Sequence, residues 1–569
     1  MRIISLHCDY IRFKPLKKAL KNAEIIKDNK EISVKDPLVI LTAVEKGDND
    51  QIIKQLISSI KKTAEEVKAR RIVLYPYAHL SSNLSDPATA LEYLTEAEHV
   101  LKKEGFEVTR APFGYYKEFE LKCKGHPLSE LSREFTSGKT SGAQKDSRKI
   151  SEKKIILDRR ELKPNDHRIL GEDLGIFYLS DEIGPGLPLW LPNGEIIRHE
   201  LIEYMRSLEE KNNYKYVSTP HITKARIYEK TGHIPYYEET MFSPMEIEGV
   251  KYYLKPMNCP HHHMIFKKLV KSYRDLPLRL AEAGSVYRNE LSGVTYGLMR
   301  VRSMTQNDAH IYLTADKLKE EFLKVMKLID EAYSAIGVQD YWYRLSLPDF
   351  KKNPEKYTGD PREWLYASQE IRKAMKESGK KFLEGQGEAA FYGPKIDLQI
   401  NNSQGKEETL STVQVDIVSS RRLNLKYTDE HGKEQFPIII HRAPLGSYER
   451  FVAFLLEQTN GSLPLWLSPI QARIINFTDR NTKAAEKVKL KLLKEIPSLR
   501  IDTDYRSTTI SDKIRDAELQ KINYIIVIGD KEEEKNTLAV RERGKKPVFG
   551  VKPEFFVKDI KERIEKRKQ

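Results

Sequence analysis

A segment of eleven residues, 137–147, divides the chain, because it is rich in Gly, Ser and Lys and repeats no apolar residue at helix or strand spacing. A continuous hydrophobic core cannot run through such a segment, so we expect the sequence on its two sides to fold separately. The chain has 569 residues, which is enough for about three or four domains of ordinary size. A single small binding module is excluded.

The composition predicts a soluble, cytoplasmic protein. Hydrophobic residues make up 39% and charged residues 32% of the chain, which supplies apolar side chains for several cores and a very polar surface. No apolar run approaches the roughly 18 residues of a membrane span, and the first residues lack the apolar core of a secretory signal. The three cysteines, Cys8, Cys123 and Cys259, are far apart, which argues against a disulfide framework and for a reducing compartment.

The positive charge is concentrated at the two ends of the chain. Residues 1–145 carry 25 basic and 20 acidic side chains, residues 461–569 carry 25 and 17, and the middle is nearly neutral. Basic ends around a neutral middle suit a protein that holds a polyanion and does chemistry on a smaller substrate. A solvated Lys/Glu surface without any partner explains the same numbers, and charge alone leaves both interpretations open.

The hydrophobic periodicity predicts three different architectures along the chain. Before the linker, short strands at 3–6, 38–43 and 71–75 alternate with helices at 50–67 and 88–103, as in a compact α/β unit. The middle pairs helices at 194–209 and 315–336 with alternating strands, including one at 214–219, which favours an antiparallel sheet flanked by helices. After residue 467, a strand–helix alternation predicts a small parallel α/β domain, with strands at 472–476, 499–503 and 524–528 and helices at 482–493 and 510–522.

A polar constellation stands out in the middle part. Segments 287–290 and 298–302 flank a turn-rich stretch, which predicts a hairpin whose second strand continues to residue 310. Because alternate strand residues share a face, one face would carry charged, amide and imidazole groups: Arg288, Glu290, Arg300, Arg302, Gln306, Asp308 and His310. A solvated surface is an equally common explanation of such a face.

A second element adds an arginine at the start of a helix. Residues 446–450 open a helix whose buried stripe includes Phe451, Phe454 and Leu455. Arg450, at this helix start, could meet a phosphate with its bidentate fork.

At this point the chain resembles a known family. Arg288 with Glu290 resembles motif 2 of the class II aminoacyl-tRNA synthetases, residues 446–450 resemble motif 3, and 214–220 with the preceding helix resemble motif 1. Segments 255–260, 298–302, 305–310, 391–395 and 441–447 together resemble the threonyl-tRNA synthetase family. The segments 75–82, 111–117 and 125–130 resemble the archaeal-type editing domain of that family, a relative of D-aminoacyl-tRNA deacylases.

The resemblance implies an α/β multidomain fold and a division of the chain. The implied parts are an editing domain at 1–136, a linker at 137–170, a class II catalytic domain with an antiparallel sheet and flanking helices at 171–460, and an α/β anticodon-binding domain at 461–569. It further implies a homodimer that uses ATP, L-threonine and tRNA(Thr).

The resemblance also assigns the site residues. It places Cys259, His310 and His441 on one zinc ion per subunit, a set that their spacing alone does not pair; adjacent His261, His262 and His263 are interpreted as structural. Mg²⁺ would accompany ATP. The implied catalytic residues are Arg288, Arg450 and Lys395; the implied ATP contacts are Arg288, Glu290, Arg300 and Arg450; and the implied threonine contacts are Asp308, Gln306, Tyr392 and Gln414.

A threonine site can reject valine strongly but serine only weakly, and this difference predicts a second, hydrolytic site. A site that hydrogen-bonds the threonine hydroxyl rejects valine by about 10⁴-fold or more, whereas the methyl that serine lacks is worth only about 10 to 200-fold. In the N-terminal unit, His79, Tyr116, Lys117 and Glu130 match the polar residues of the archaeal-type editing pocket. We therefore expect this unit to hydrolyse seryl-tRNA.

One segment departs from the family pattern, and two other functions stay open. Residues 408–412 differ from the Trp-Gln-Cys-Gly type of bacterial relatives, and Leu291 stands where proline is frequent. The first alternative is another class IIa synthetase, for proline or serine. The second is a tRNA-binding regulatory paralogue with a dead active site, against which the intact Arg288, Arg450 and zinc-ligand types weigh.

Overall fold

The computed structural model describes residues 1–20, 23–26, 29–81, 83–125, 129–135, 159–232, 234 and 238–567. The chain forms two compact units, Met1–Arg148 and Lys149–Gln569. Residues 137–158 of the predicted linker lie outside the described residues. Within the described ranges, no helix has both the length and the apolar character needed to cross a bilayer.

The described residues of the N-terminal unit form a seven-stranded sheet with two α-helices. Its elements are β1 (Arg2–Lys18), β2 (Ile32–Lys35), β3 (Pro37–Ala43), α1 (Asp50–Glu66), β4 (Arg71–Pro76), α2 (Pro87–Lys103), β5 (Glu107–Arg110), β6 (Tyr115–Cys123) and β7 (Glu130–Glu134). The sheet order is β2-β1-β3-β4-β5, and β6 and β7 both pair with the long strand β1. The predicted α/β unit is confirmed.

Local sequence explains why the two helices begin where they do. The side chains of Asn49 and Asp86 accept backbone N–H groups of the first turns of α1 and α2, which satisfies donors that have no partner inside a helix. Both helices follow a strand and lead to a parallel neighbour, β3 to β4 and β4 to β5. Their apolar stripes pack with Leu38, Ile40 and Ile72 from one face of the sheet.

The larger unit contains helices along its whole length and several short strands before its central sheet. The helices formed by its described residues are α3 (His167–Asp173), α4 (Pro192–Lys211), α5 (Ala225–Thr231), α6 (Cys259–Leu269), α7 (Leu318–Ile336), α8 (Pro361–Glu377), α9 (Ser419–Arg422), α10 (Tyr448–Thr459), α11 (Thr482–Glu495), α12 (Ile510–Leu519), α13 (Asp530–Lys535) and α14 (Pro553–Glu565). Its first strands are β8 (Phe177–Tyr178), β9 (Leu189–Trp190), β10 (Lys215–Tyr216), β11 (Ile222–Lys224), β12 (Met245–Ile247) and β13 (Val250–Leu254).

An eight-stranded sheet forms the middle of this unit. Its further strands, and two short ones outside it, are β14 (Leu278–Tyr287), β15 (Ser303–Leu313), β16 (Tyr341–Leu347), β17 (Phe382–Gln386), β18 (Lys395–Asn401), β19 (Glu407–Asp416), β20 (Tyr427–Thr428), β21 (Glu434–Gln435) and β22 (Ile438–Ala443). The order is β10-β14-β15-β22-β19-β18-β16-β17. All pairs are antiparallel except the two at the edges, β10 with β14 and β16 with β17. The predicted antiparallel sheet is therefore confirmed in its centre.

The C-terminal sheet differs from the prediction in one respect. It contains β23 (Ala472–Asn476), β24 (Ile501–Asp504), β25 (Tyr524–Ile528), β26 (Leu538–Glu542) and β27 (Val548–Val551). The first three strands are parallel, as predicted, but β26 and β27 are antiparallel additions. The short connections between β25, β26 and β27 leave no room for the long crossovers that parallel pairing needs.

Two strand predictions in the middle are wrong in extent. The strand at 214–219 shortens to Lys215–Tyr216, because the backbone N–H of Thr219 donates to the carboxylate of Glu282 at 2.7 Å rather than to a strand. In the predicted hairpin, the first strand ends at Tyr287 and the second begins only at Ser303. Residues 288–302, part of which were predicted as strand, therefore form the loop between them.

Candidate functional site

A cavity of about 330 Å³ opens on the central sheet of the larger unit. Strands β15, β19 and β22, the 288–302 loop, and the starts of α6 and α10 supply its walls. The predicted site residues that line it are Arg288, Glu290, Arg300, Arg450, Asp308, Gln306, Tyr392, Gln414, Cys259, His310 and His441. The structure therefore brings eleven of the twelve residues predicted for this site into one cavity.

The three predicted metal ligands meet at one end of this cavity. Cys259 is the first residue of α6, while His310 and His441 are opposite each other on β15 and β22. Their ligand atoms all lie within 4.8 Å of one another. One thiol and two imidazoles at this spacing fit a zinc ion with an open position for a substrate.

Hydrogen bonds decide which nitrogen of each imidazole faces this point. Nδ1 of His310 lies 2.9 Å from Nδ1 of His262, and Nε2 of His441 lies 3.0 Å from a carboxylate oxygen of Asp416. The other nitrogen of each ring remains for a metal, as is usual when a partner holds the far side of a ligating histidine. His262, interpreted from sequence as structural, thus contacts a predicted ligand directly.

The predicted threonine contacts lie beside the Cys/His group. The carboxylate of Asp308 accepts the side-chain N–H of Asn258 at 3.0 Å, which orients it from behind. The hydroxyl of Tyr392 donates to the side-chain carbonyl of Gln414, and the ring centroids of Tyr392 and His441 are 5.6 Å apart. This end of the cavity thus offers polar groups for a small amphipathic ligand with a hydroxyl.

The predicted ATP contacts lie on the loop and at the start of α10. Glu290 pairs with Arg300 at 3.0 Å across the loop, and the backbone N–H of Arg288 donates to the carbonyl of Arg302 at 2.9 Å. Arg302 itself donates to the carbonyl of Glu290 and does not line the cavity. The expectation that Arg300 and Arg302 project together is therefore wrong, because the loop does not keep the alternation of a strand.

Arg450 reaches across the cavity from the first turn of α10. Its backbone N–H donates to the side chain of the N-cap residue Ser447 at 3.2 Å. Its guanidinium donates to the carbonyl oxygens of Met299 at 2.9 Å and Thr409 at 3.2 Å. A fixed arginine at a helix N-terminus is a favourable place for a phosphate group.

The segment that departs from the family pattern also lines the cavity. Thr409, Leu410, Ser411 and Thr412 lie on β19 at its edge. The contact with Arg450 uses the backbone of Thr409, so it does not depend on the side-chain type at this position.

Lys395 is the one residue predicted for this site that does not line the cavity. It lies at the start of β18, opposite Gln414 of β19. Its ammonium group pairs with the carboxylate of Asp397, which draws the side chain along its own strand.

A second cavity, of about 510 Å³, lies in the N-terminal unit. His79, Tyr116 and Lys117 line it, together with Tyr75 and Tyr77. Lys117 donates to the carbonyl oxygens of Pro112 at 3.0 Å and Tyr115 at 3.2 Å, and its nitrogen lies 5.1 Å from the ring centroid of Tyr75. Burial lowers the pKa of Lys117 to about 8.

Glu130, the fourth residue predicted for this pocket, lies elsewhere. It is exposed at the start of β7, opposite Leu6 on β1, and does not line the cavity. The pairing of β7 with β1 decides this position, because it holds Glu130 away from the start of β6, where Tyr116 and Lys117 lie.

Several residues at these sites were not predicted. Arg442 lines the cavity on the central sheet and is fully buried against Glu209 of α4, and Asn258 orients Asp308. Both stand inside segments that carry the family resemblance, 441–447 and 255–260, which is the signal that could have found them. The ring of Tyr75 under Lys117 has a similar signal in segment 75–82.

Three domain families match consecutive parts of the chain. The archaea-specific editing domain of threonyl-tRNA synthetase matches residues 1–135, the class II tRNA synthetase core domain (G, H, P, S and T) matches 243–459, and the anticodon-binding domain matches 471–563.

Individual proteins resemble most of the chain. A threonine–tRNA ligase of Bacillus velezensis is 45% identical over 70% of this chain and 62% of its own length, and that of Deinococcus radiodurans is 43% identical over 72% and 63%. The chain thus spans less than two thirds of these curated relatives. A solved RNA-binding domain of threonyl-tRNA synthetase from Cryptosporidium parvum superposes with a TM-score of 0.65 at 33% identity, over 70% of this chain and 98% of that one. Since these similarities and the three domain matches agree, the chain belongs to the threonyl-tRNA synthetase family.

Proposed function

We propose that this chain is a threonine–tRNA ligase that also edits its product. It activates L-threonine with ATP to threonyl-adenylate, transfers the threonyl group to the 3′ end of tRNA(Thr), and hydrolyses mischarged seryl-tRNA(Thr) in its N-terminal unit. The observation that carries the proposal is the convergence of Cys259, His310 and His441 on the cavity that also holds Arg288 and Arg450.

The Cys/His end is the proposed amino-acid site. Cys259, His310 and His441 would hold one zinc ion per subunit, and zinc in such a site supplies a Lewis-acidic position for the amino and hydroxyl groups of an amino acid. Asp308 accepts a hydrogen bond from the threonine hydroxyl, since its carboxylate is held towards the cavity by Asn258. Gln306, Tyr392 and Gln414 complete the proposed threonine contacts.

The arginine end is the proposed ATP site. Arg288 holds the α-phosphate, where the threonine carboxylate attacks, and Arg450 holds the γ-phosphate with the helix start behind it. Glu290, fixed by Arg300, contacts the adenine. Mg²⁺ accompanies the ATP, as in class II synthetases generally. The protein contributes mainly positioning and charge stabilisation to this reaction.

Lys395 has a conditional place in this scheme. It lies on the strand beside Gln414, and its pairing with Asp397 must be exchanged for the substrate carboxylate or phosphate before it can act catalytically.

The N-terminal cavity is the proposed editing site. Hydroxyl recognition rejects valine but cannot reject serine strongly, because one missing methyl is worth only about 1–3 kcal/mol. His79, Tyr116 and Lys117 surround a cavity that can receive the aminoacylated end of a tRNA. Glu130 enters this proposal only if its strand moves, since it lies outside the lining.

The remaining parts of the proposal concern organisation. We place the editing domain at 1–136, the linker at 137–170, the catalytic domain at 171–460 and the anticodon-binding domain at 461–569. The basic C-terminal domain, with 25 basic and 17 acidic residues, contacts the tRNA backbone. The motif 1 resemblance supports a homodimer, and the dispersed cysteines support a cytoplasmic location.

Amino-acid-dependent exchange between ATP and pyrophosphate tests the main proposal. Threonine should support exchange strongly and serine weakly, while valine and proline should support none, and the purified protein should contain one zinc ion per chain. Exchange with proline but not threonine would assign another class IIa specificity. Binding of tRNA without adenylate formation from any amino acid would establish the regulatory alternative.

A further inference from the structure

A buried cluster of three ionisable side chains lies in the larger unit outside the cavity lining. Asp166, His167 and Glu457 are all buried, and their nearest nitrogen and oxygen atoms lie within 4.8 Å of one another. His167 begins α3, and Glu457 lies near the end of α10. Such a group has the composition of a metal site, so the hydrogen bonds of each member decide what it does.

The imidazole in this cluster has no lone pair to give to a metal. Nδ1 of His167 lies 2.7 Å from Oε1 of Glu457, and its Nε2 accepts the backbone N–H of Leu298 at 3.2 Å. Because Nε2 accepts, Nδ1 must carry the hydrogen and donate it to the carboxylate. Asp166 is engaged as well, since its two oxygens accept from the guanidinium of Arg168 at 2.9 and 3.0 Å.

The carboxylate behind the imidazole is fixed from several sides. Oε1 of Glu457 also accepts the backbone N–H of His167 at 3.3 Å, and Oε2 accepts the backbone N–H of Ser403 at 2.6 Å. A carboxylate held by backbone groups cannot turn away, so it sets both the orientation and the tautomer of the imidazole. The cluster is a hydrogen-bonded brace.

The brace ends on the loop of the proposed ATP site. The imidazole of His167 accepts a hydrogen bond from the backbone N–H of Leu298. Leu298 directly precedes Met299, and the carbonyl oxygen of Met299 accepts a hydrogen bond from Arg450 at 2.9 Å. The next residue is Arg300, which lines the cavity. A displacement of Leu298 would therefore move two groups of the ATP site at once.

The two residues before Leu298 are held by the same cluster. Gly297 has a φ of 50°, and a Cβ built on it would lie 2.1 Å from Nε2 of His167, so only glycine permits this approach. The hydroxyl of Tyr296 donates to Asp166 at 3.1 Å, and the guanidinium of Arg168 lies 4.1 Å from the Tyr296 ring centroid. The positions of three consecutive loop residues, 296–298, thus depend on the buried cluster of Asp166, His167 and Glu457.

We propose that His167, held by Glu457, is a positioning residue for ATP binding. It fixes the turn at residues 296–298 so that Arg300 and the Met299 carbonyl have their places before the nucleotide arrives. This inference rests on the proposed function in taking ATP as the ligand of the cavity. Its distinctive consequence is that a defect at His167 affects the nucleotide and spares the amino acid, whose proposed contacts lie on β15, β19 and β22, at the start of α6 and in the turn before β18.

Two substitutions separate the acceptor role of His167 from its bulk. His167→Asn can still donate to Glu457, but its amide is too short to accept from Leu298. His167→Gln can place its carbonyl oxygen near the position of Nε2 and restore the acceptor. His431→Asn is the matched control, because His431 is exposed in the turn between β20 and β21 and does not line the cavity.

Calorimetric titration of the full chain with Mg·ATP, without amino acid, tests the proposal directly. His167→Asn should weaken ATP binding by about tenfold or more, as expected for a buried amide left without its acceptor, and His167→Gln should recover most of the loss. His431→Asn should bind as the parent does. In the exchange reaction, the KM for ATP of His167→Asn should rise by a similar factor, while the KM for threonine changes less than about twofold.

A third variant approaches the same contact from the loop. Gly297→Ala should weaken ATP binding as His167→Asn does, and the double variant should lose less than the product of the two single losses, because both act on one contact. This pair keeps the test available if one variant does not fold.

Unchanged ATP affinity in folded His167→Asn, or equal losses for ATP and threonine, would overturn the brace. A parent protein that binds ATP but shows no threonine-dependent exchange would refute the proposed function. The role of His167 would then be decided by the calorimetric comparison of ATP binding alone. A parent protein that binds no ATP would refute both.

Discussion

His310 and His441 are opposite each other on neighbouring antiparallel strands, with their ring centroids 4.5 Å apart. They are 131 residues apart in sequence, and strand register alone brings them together. The start of α6 adds Cys259, so that three distant segments provide one set of ligand atoms within 4.8 Å. The proposed amino-acid site therefore depends on the register between β15 and β22.

Cys259→Ser should remove the proposed metal and, with it, amino-acid activation. A serine hydroxyl is a poor zinc ligand compared with a thiolate, so zinc should fall from one per chain to below about a tenth, and threonine-dependent exchange should fall by at least about 100-fold. Metal analysis and exchange assays on the same preparation check this. Cys123→Ser, in the other unit, should change neither quantity. Full metal content with full exchange would exclude Cys259 as a ligand.

Lys117→Ala should separate editing from charging. Lys117 lies over the Tyr75 ring in the N-terminal cavity, so its loss should slow seryl-tRNA(Thr) deacylation by about tenfold or more, while threonylation continues at the parental rate. Deacylation of preformed seryl-tRNA measures the first effect and aminoacylation the second. Lys122→Ala, an exposed position on the same strand, is the control. An undiminished deacylation rate would remove Lys117 from the editing site.

The lowered pKa of Lys117 also predicts a pH dependence of stability. With a pKa of about 8 in the folded protein and about 10.4 when unfolded, the unfolded chain binds more protons between these values. The free energy of unfolding of the N-terminal unit should therefore rise with pH in this window, by up to about 2 kcal/mol from pH 8 to 9.5.

Pulse proteolysis in urea can follow this unit within the full chain. Lys117→Met has no group that titrates at this position, so its free energy of unfolding should lack the rise seen in the parent protein. A parallel pH profile in both proteins would mean that Lys117 keeps its ordinary pKa when folded.

Glu209→Ala should strongly destabilise the larger unit. Glu209 and Arg442 form an ion pair with both side chains fully buried, and Asn307 donates to the same carboxylate at 3.0 Å. Its removal leaves Arg442 buried without a counter-charge, which costs about 3–5 kcal/mol. Urea unfolding followed by tryptophan fluorescence measures the loss, since all four tryptophans lie in this unit. Glu210→Ala, the exposed neighbour, should change the free energy by less than about 1 kcal/mol; equal effects would argue against the buried pair.

Periodicity predicted elements best where local and tertiary preferences agree. The helix predicted at 50–67 runs from Asp50 to Glu66, and the strands at 472–476 and 524–528 have the predicted bounds. The strand predicted at 214–219 failed because a carboxylate from β14, Glu282, competes for the amide of Thr219. A long-range hydrogen bond of this kind leaves no trace in local periodicity.

The amino-acid sequence by itself determined that the chain divides near the linker, the α/β type of its parts and the chemistry of the cavity residues, because short segments carry turn signals, periodicity and family motifs. Only the tertiary structure decided which of these residues share a cavity. Strand pairing joined His310 to His441 and held Glu130 away from Lys117. The reason is physical: register and loop packing depend on contacts between segments more than a hundred residues apart, such as His167 with Leu298, which local sequence does not encode.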